Sequence, residues 1–400
     1  TGDVNADLDY KTNTSLELNS GTILDIAGNA ASLTLPAPAA AGSLSANKDI
    51  VIDAYAPMVS GVDSVKSNGS YTVPENIPLT VTFTEPVTVA GSPRLLLETG
   101  STLRYADYSG GSGTAVLAFN YTVGTGDASA DLDYKTTDSL ELNGGSIKDS
   151  AGNDVSLALP VPGAAGSLSA NKDIVIDTAG PLVNTVNSSK ADGNYPAGET
   201  IPITINFNEP VGVTGVPRLR LDTGSAAGYA DYTGGSGSTS LNFNYIVQAG
   251  DASPDLDYSA ADSLELNGGT IKDESSNNVG LALPVPGAAG SLGFNKQITI
   301  DSAAAAVTNL NSAKADGAYG SGSEIPISVE FNEIVYVSGS PRLLLNSGNS
   351  AYANYASGSG STSLTFNYTV AAGENSADLD YAATSALELN GGTVKDGAGN

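Results

Sequence analysis

Aspartates recur in pairs along this chain. Asp131-Leu132-Asp133-Tyr134 sets two carboxylates at i and i+2, and the same phrase stands at Asp7/Asp9, Asp255/Asp257 and Asp378/Asp380. On an extended strand such residues share one face, with the leucine and tyrosine on the other. Two carboxylates about 7 Å apart on one face repel unless something positive sits between them. Clustered carboxylate and carbonyl oxygens suit a hard cation, so the chemistry indicated is Ca2+ binding.

Other chemistries fare worse. The chain contains no histidine and no cysteine, which removes the commonest nucleophile–base pairs and most zinc sites. Paired carboxylates can hydrolyse glycosides, but the same acids return in every copy, and enzymes rarely tile one active site along a chain. The expectation is a protein that is not an enzyme. A net charge of −27 repels nucleic acid and anionic membrane surfaces, so neither is an expected partner.

The acidic phrase recurs because the whole sequence does. Asp131 to Asp255 is 124 residues, and Asp255 to Asp378 is 123. A period that long is a domain, not a solenoid turn of about 20–50 residues. Each copy begins after an aspartate that closes a strand, namely Asp53, Asp177 and Asp301. Residues 54–177 and 178–301 then read as two complete repeats. Residues 1–53 read as the C-terminal part of another, and 302–400 as the N-terminal part of a fourth. The first expectation is a stretch of a longer repetitive protein. The alternative is a head-to-tail polymer, in which Ala30–Asp53 of the next subunit supplies what corresponds to the residues after Asn400, leaving residues 2–29 duplicated. Hydrophobic residues make up 40% of the chain, enough to build cores. Without disulfides, each repeat must rely on that core and on any metal it holds.

The elements that would position the acids are strands. Ile77-Pro78-Leu79-Thr80-Val81-Thr82-Phe83 alternates apolar and polar residues, and Ile201–Phe207 and Ile325–Phe331 keep the apolar face. Leu117–Val123, Leu241–Val247 and Leu364–Val370 repeat the pattern, and Gly-Ser turns separate the runs. Short, regularly spaced strands without a helical period predict an all-β fold of tandem β-sandwich domains.

Three motifs add a resemblance. Phe83-Thr84-Glu85-Pro86-Val87, then Gly91-Ser92-Pro93-Arg94-Leu95-Leu96-Leu97, then Asp149-Ser150-Ala151-Gly152-Asn153 resemble the bacterial immunoglobulin-like repeats of giant surface adhesins. The linker Asp53-Ala54-Tyr55-Ala56-Pro57 is similar to the linkers of the same proteins. The resemblance implies immunoglobulin-like sandwiches, an extracellular, cell-surface setting, and calcium at domain junctions. It weakens at Asp273-Glu274-Ser275-Ser276-Asn277 and at Asp301-Ser302-Ala303-Ala304-Ala305, where no proline restricts the linker.

A coarse trace with strands of alternating direction brings Glu75, Asp131, Asp133 and Asp177 to one end of a repeat, with Glu209 approaching from the next. The equivalent candidates are Glu199, Asp255, Asp257, Asp301 and Glu333, and Asp7, Asp9, Asp53 and Glu85. Against this stand plainer roles: solvated strand ends, an Asx-turn at Asp149, and corner hydrogen bonding by Glu85, Glu209 and Glu333. Tyr105/Tyr108, Tyr229/Tyr232 and Tyr352/Tyr355 suggest sugar stacking, but packing explains them better. The functional expectation is a stalk or fibre segment of a long microbial adhesin-like protein. Its partners would be its own neighbouring repeats, like chains in a fibre, and a surface receptor reached through other domains. The rival is a subunit of a self-assembling filament or sheath.

Overall fold

The computed structural model describes residues 3–224, 228–348 and 351–400. Alternation in the sequence becomes alternation in space. In the strand Asn76–Ala90 the residues Ile77, Leu79, Val81, Phe83 and Val87 are buried, while their neighbours face outward or lie half-covered. This strand pairs antiparallel with Thr114–Thr122, setting Ile77 opposite Tyr121 and Leu79 opposite Phe119. Its other flank takes Val59–Ser64. The register shifts between Thr82 and Val87, and past that break the same strand takes up Ser146–Lys148. Pro86 falls inside the break, where no ladder hydrogen bond needs its missing N–H.

Seven strands make one curled sheet. Its order is Leu140–Glu141, Arg94–Leu97, Arg104–Gly110, Thr114–Thr122, Asn76–Ala90 and Ser146–Lys148, with Val59–Ser64 also on Asn76–Ala90. A smaller sheet holds Gly69–Tyr71, Ile174–Asp177 and Ala128–Ser129. Ile174–Asp177 runs parallel to the first of these partners and antiparallel to the second. Leu132, Leu168, Ile174 and Ile176 join Ile77, Phe119 and Tyr121 in one core.

The plan recurs. A second core is drawn from Val186 to Ile300 and a third from Ile325 to Ala386. Among the described residues, 302–400 has the seven-stranded sheet but no counterpart of the smaller one. Thr1–Ala179 and Gly180–Asn400 form two compact units. The helices Leu44–Asn47, Leu168–Asn171 and Leu292–Asn295 are single turns, each started by a serine hydroxyl that accepts a backbone N–H. Among the described residues no helix is long and apolar enough to cross a membrane. The protein is an all-β chain of β-sandwich-like repeats.

One expectation about local structure fails. Asp131 and Asp133 do not lie on a strand and do not share a face: Asp131 is exposed and Asp133 is buried. The strand stops at Ser129, and the chain then turns so that Leu132, Asp133 and Tyr134 all point inward. The tyrosines pack. Tyr108 meets Phe119 edge-on with ring centres 5.8 Å apart, and the Arg94 guanidinium lies 3.9 Å from the centre of Tyr105.

Candidate metal centre

Glu85 owes its position to strand periodicity. It shares the inward parity of Phe83 and Val87, yet it sits at the break in the register, where the sheet curls and its carboxylate reaches the end of the repeat. Asp53 ends the short strand Ile52–Asp53, and its Oδ1 accepts the N–H of Tyr55, an Asx-turn that starts the linker. Asp149 follows the strand Ser146–Lys148 and organises a tight turn. Its Oδ1 accepts the Asn153 N–H at 2.8 Å and its Oδ2 accepts the Asn153 side-chain amide at 2.7 Å. Gly152 in that turn has φ +94°, which a side chain would strain.

Asp53, Glu85 and Asp149 each offer a carboxylate oxygen, and the three oxygens lie within 4.8 Å of one another. Asp301, Glu333 and Asp396 repeat the arrangement within the second compact unit. No lysine or arginine forms an ion pair with these six residues among those described. The consequence shows in protonation. Partial burial, then the charges of Asp53 and Asp149, push the Glu85 carboxyl above its usual range. Burial, then Asp301 and Asp396, do the same to Glu333. Asp149 moves the other way: burial opposes ionisation, but the hydrogen bonds from Asn153, Gly152 and Ala151 outweigh it. Three carboxylates with oxygen as the only donor suit Ca2+, which takes about 6–8 oxygen ligands, and do not suit zinc, which favours nitrogen and sulfur.

The other sequence candidates lie elsewhere. Asp133 is spent on its own repeat: its carboxylate accepts from the Ser169 hydroxyl at 2.6 Å and from the N–H groups of Gly163 and Tyr134. Asp257 accepts from Tyr258 and Gly287 in the same way. Asp9 accepts from Ser45, Ala39 and Tyr10, and the Ser45 hydrogen bond above all holds it down at about 2. Glu75 pairs with Lys66 at 2.9 Å and Glu199 with Lys190 at 2.7 Å. Asp131 and Asp255 are exposed. Burial raises both, followed by Asp173 in the first case and Asp257 in the second. Asp7 is exposed beside Asn5. Asp177 closes Ile174–Asp177, and Glu209 lies within Thr200–Thr214.

No family model matches this chain, and no curated protein matches it. The functional reading therefore rests on the geometry of the repeats.

Sequence reasoning passed over Asp149 and Asp396 as ligand candidates and missed the role of the asparagines that follow them. Asn153 Nδ2 donates to the Asp53 carbonyl as well as to Asp149, and Asn400 Nδ2 donates to the Asp301 carbonyl at 2.8 Å and that of Ala303 at 3.2 Å. The signal was present: Asp-x-x-x-Asn recurs in all four copies, and Phe-x-Glu accompanies it in the three that begin at 54, 178 and 302.

Proposed function

We propose that this chain is a stalk or fibre segment of a long microbial surface protein, built of immunoglobulin-like repeats whose junctions are stiffened by Ca2+. The observation that carries this reading is that Asp53–Glu85–Asp149 and Asp301–Glu333–Asp396 form the same trio at equivalent places. In each, one aspartate ends a repeat and the other two acids belong to the next. An ion held there would draw both repeats onto one charge. The linker is already short and pinned. Ser302 accepts from Gly250 N–H and donates to the Asp251 carbonyl on one side, while Asn400 holds Asp301 and Ala303 from the other. The acidic surface keeps such a chain soluble and makes neighbouring chains repel.

Thermal unfolding of the 400-residue chain across a free-Ca2+ series tests the proposal. Binding to the folded state alone stabilises by mass action, about 2.7 kcal/mol at a hundred times Kd. The melting temperature should rise with Ca2+, and the double substitution Glu85→Gln with Glu333→Gln should remove most of the rise. Identical transitions in Ca2+ and in chelator would overturn the calcium reading.

A further inference from the structure

One row of side chains on the outer face of the large sheet stays the same from repeat to repeat. In the repeat at 54–177, Glu141 lies opposite Arg94, Arg94 opposite Asp107, Asp107 opposite Asn120 and Asn120 opposite Pro78. Strand alternation turns these residues outward, since their neighbours Leu95, Ala106, Phe119 and Leu79 are buried. At about 4.8 Å per strand the row spans about 19 Å.

The row returns in the next repeat as Glu265, Arg218, Asp231, Asn244 and Pro202. At 302–400 it is Glu388, Arg342, Asn354, Asn367 and Pro326. Its one change is Asp to Asn at 354. The outward pairs on either side drift. Thr80/Ala118 becomes Thr204/Asn242 and then Ser328/Thr365, and Asn76/Thr122 becomes Thr200/Ile246 and then Glu324/Thr369. Folding tolerates such change at exposed positions. A row that resists it has a cause outside the fold.

Part of the row is occupied with itself. Arg94 Nε donates to Glu141 at 2.8 Å and the guanidinium lies over the Tyr105 ring, which fixes a flat cation on the surface. Asp107 and Asn120 are not so engaged. Both are exposed, and among the described residues no hydrogen bond takes up either side chain. Side by side on neighbouring strands, they offer carboxylate and amide oxygens as acceptors and an NH2 group as donor. Asn354 keeps the acceptor oxygen without the charge.

Neighbouring hydroxyls on a sugar ring, each able to donate and to accept, match this set. Charge narrows the choice. Arg94 opposes a cationic ligand and Asp107 an anionic one, and the net charge of −27 repels anionic polymers as a whole.

We propose that this row is a binding strip for a neutral polysaccharide, one strip in each of the three repeats. The proposal goes beyond the stalk reading and does not require calcium. Tyr105 is no stacking platform in it, because Arg94 covers its ring. Weak strips repeated on one chain gain from linkage, since a second engagement of the same polymer is intramolecular.

Electrophoresis of the 400-residue chain in chelator, through native gels cast with dextran, mannan or galactomannan, tests this. Migration should be slowed in at least one neutral gel relative to a plain gel, and not in an alginate gel. The triple substitution Asp107→Ala, Asp231→Ala and Asn354→Ala should remove the slowing. Asp107→Asn with Asp231→Asn, which copies Asn354, should keep it. So should Thr122→Ala, Ile246→Ala and Thr369→Ala, on the same face but in a row that drifts. All these positions are exposed, so each variant should melt with the parent. A parent that runs unslowed in all three neutral gels, equal slowing in alginate, or slowing that survives the Asp107/Asp231/Asn354 triple would overturn the proposal. Chelator keeps this outcome separate from the calcium test.

Discussion

Asn153 and Asp53, 100 residues apart in sequence, are joined by one hydrogen bond: the Asn153 side-chain amide donates to the Asp53 carbonyl at 3.1 Å. The same amide nitrogen donates to Asp149 Oδ2. One side chain thus fixes the acidic turn and the linker strand together, so the carboxylates of Asp53 and Asp149 are held near each other despite their repulsion.

Asn153→Ala should therefore release both partners. It removes a hydrogen bond to a charged group and one to a backbone carbonyl, and should cost about 2 kcal/mol. Denaturant unfolding measures the loss. Hydrogen exchange should place it at the linker, with faster exchange at Tyr55.

Glu85 gives a pH signature whose sign is fixed by the direction of its shift. A carboxyl raised in the folded state contributes stability below its unfolded pKa and loses it as pH rises through the folded value. At neutral pH in chelator, the charged Glu85 should destabilise relative to Glu85→Gln. That difference should fade on acidification towards the glutamate range, about pH 4–5. In Ca2+ at neutral pH the order should reverse. Melting temperatures of both proteins across pH, with and without Ca2+, check all three statements.

Asp127 predicts a large loss. It is fully buried and accepts from Arg104 Nε at 2.6 Å, from the Tyr121 hydroxyl at 2.7 Å and from Gly124 N–H at 2.8 Å. Asp127→Ala leaves a buried tyrosine hydroxyl without its acceptor, at a cost of about 3 kcal/mol. Asp251, its counterpart, accepts from Tyr245 and Gln248 but forms no ion pair with an arginine among the described residues, since Gly228 stands where Arg104 does. Asp251→Ala should cost less in equilibrium unfolding.

Ile77 and Ile325 occupy the same strand position, but Ile77 is fully buried, whereas Ile325 is 8% exposed and lines a cavity with Leu310 and Leu379. Ile77→Ala should cost about 2–5 kcal/mol, the usual range for a tight core. Ile325→Ala should cost less, because its surroundings are already incompletely packed. Local unfolding read by hydrogen exchange at each site separates the two.

Ile77, Val81, Phe83, Phe119 and Tyr121 announce their burial because a half-buried strand must alternate, and all five are buried. Glu85 was legible for the same reason: its place in the alternation and its recurrence are both visible in the letters. The aspartate pairs misled because i, i+2 shares a face only on a strand, and the strand stops at Ser129. Nothing in Asp131-Leu132-Asp133 reveals that Gly163 and Ser169, 30 and 36 residues away, consume the second carboxylate. The meeting of Asp149 with Asp53 was hidden too. It depends on where Ser146–Lys148 joins the bent strand Asn76–Ala90, a long-range pairing that local pattern does not encode.

The parallel pairing of Ile174–Asp177 with Gly69–Tyr71 also has a mechanical meaning. Tension applied through the linkers pulls the last strand of a repeat along its own length, while the early strands are drawn the opposite way. The three residue pairs from Ile174/Gly69 to Ile176/Tyr71 are then loaded together in shear rather than peeled one at a time. A repeat wired this way resists stretching through the strand that leads directly into the next linker.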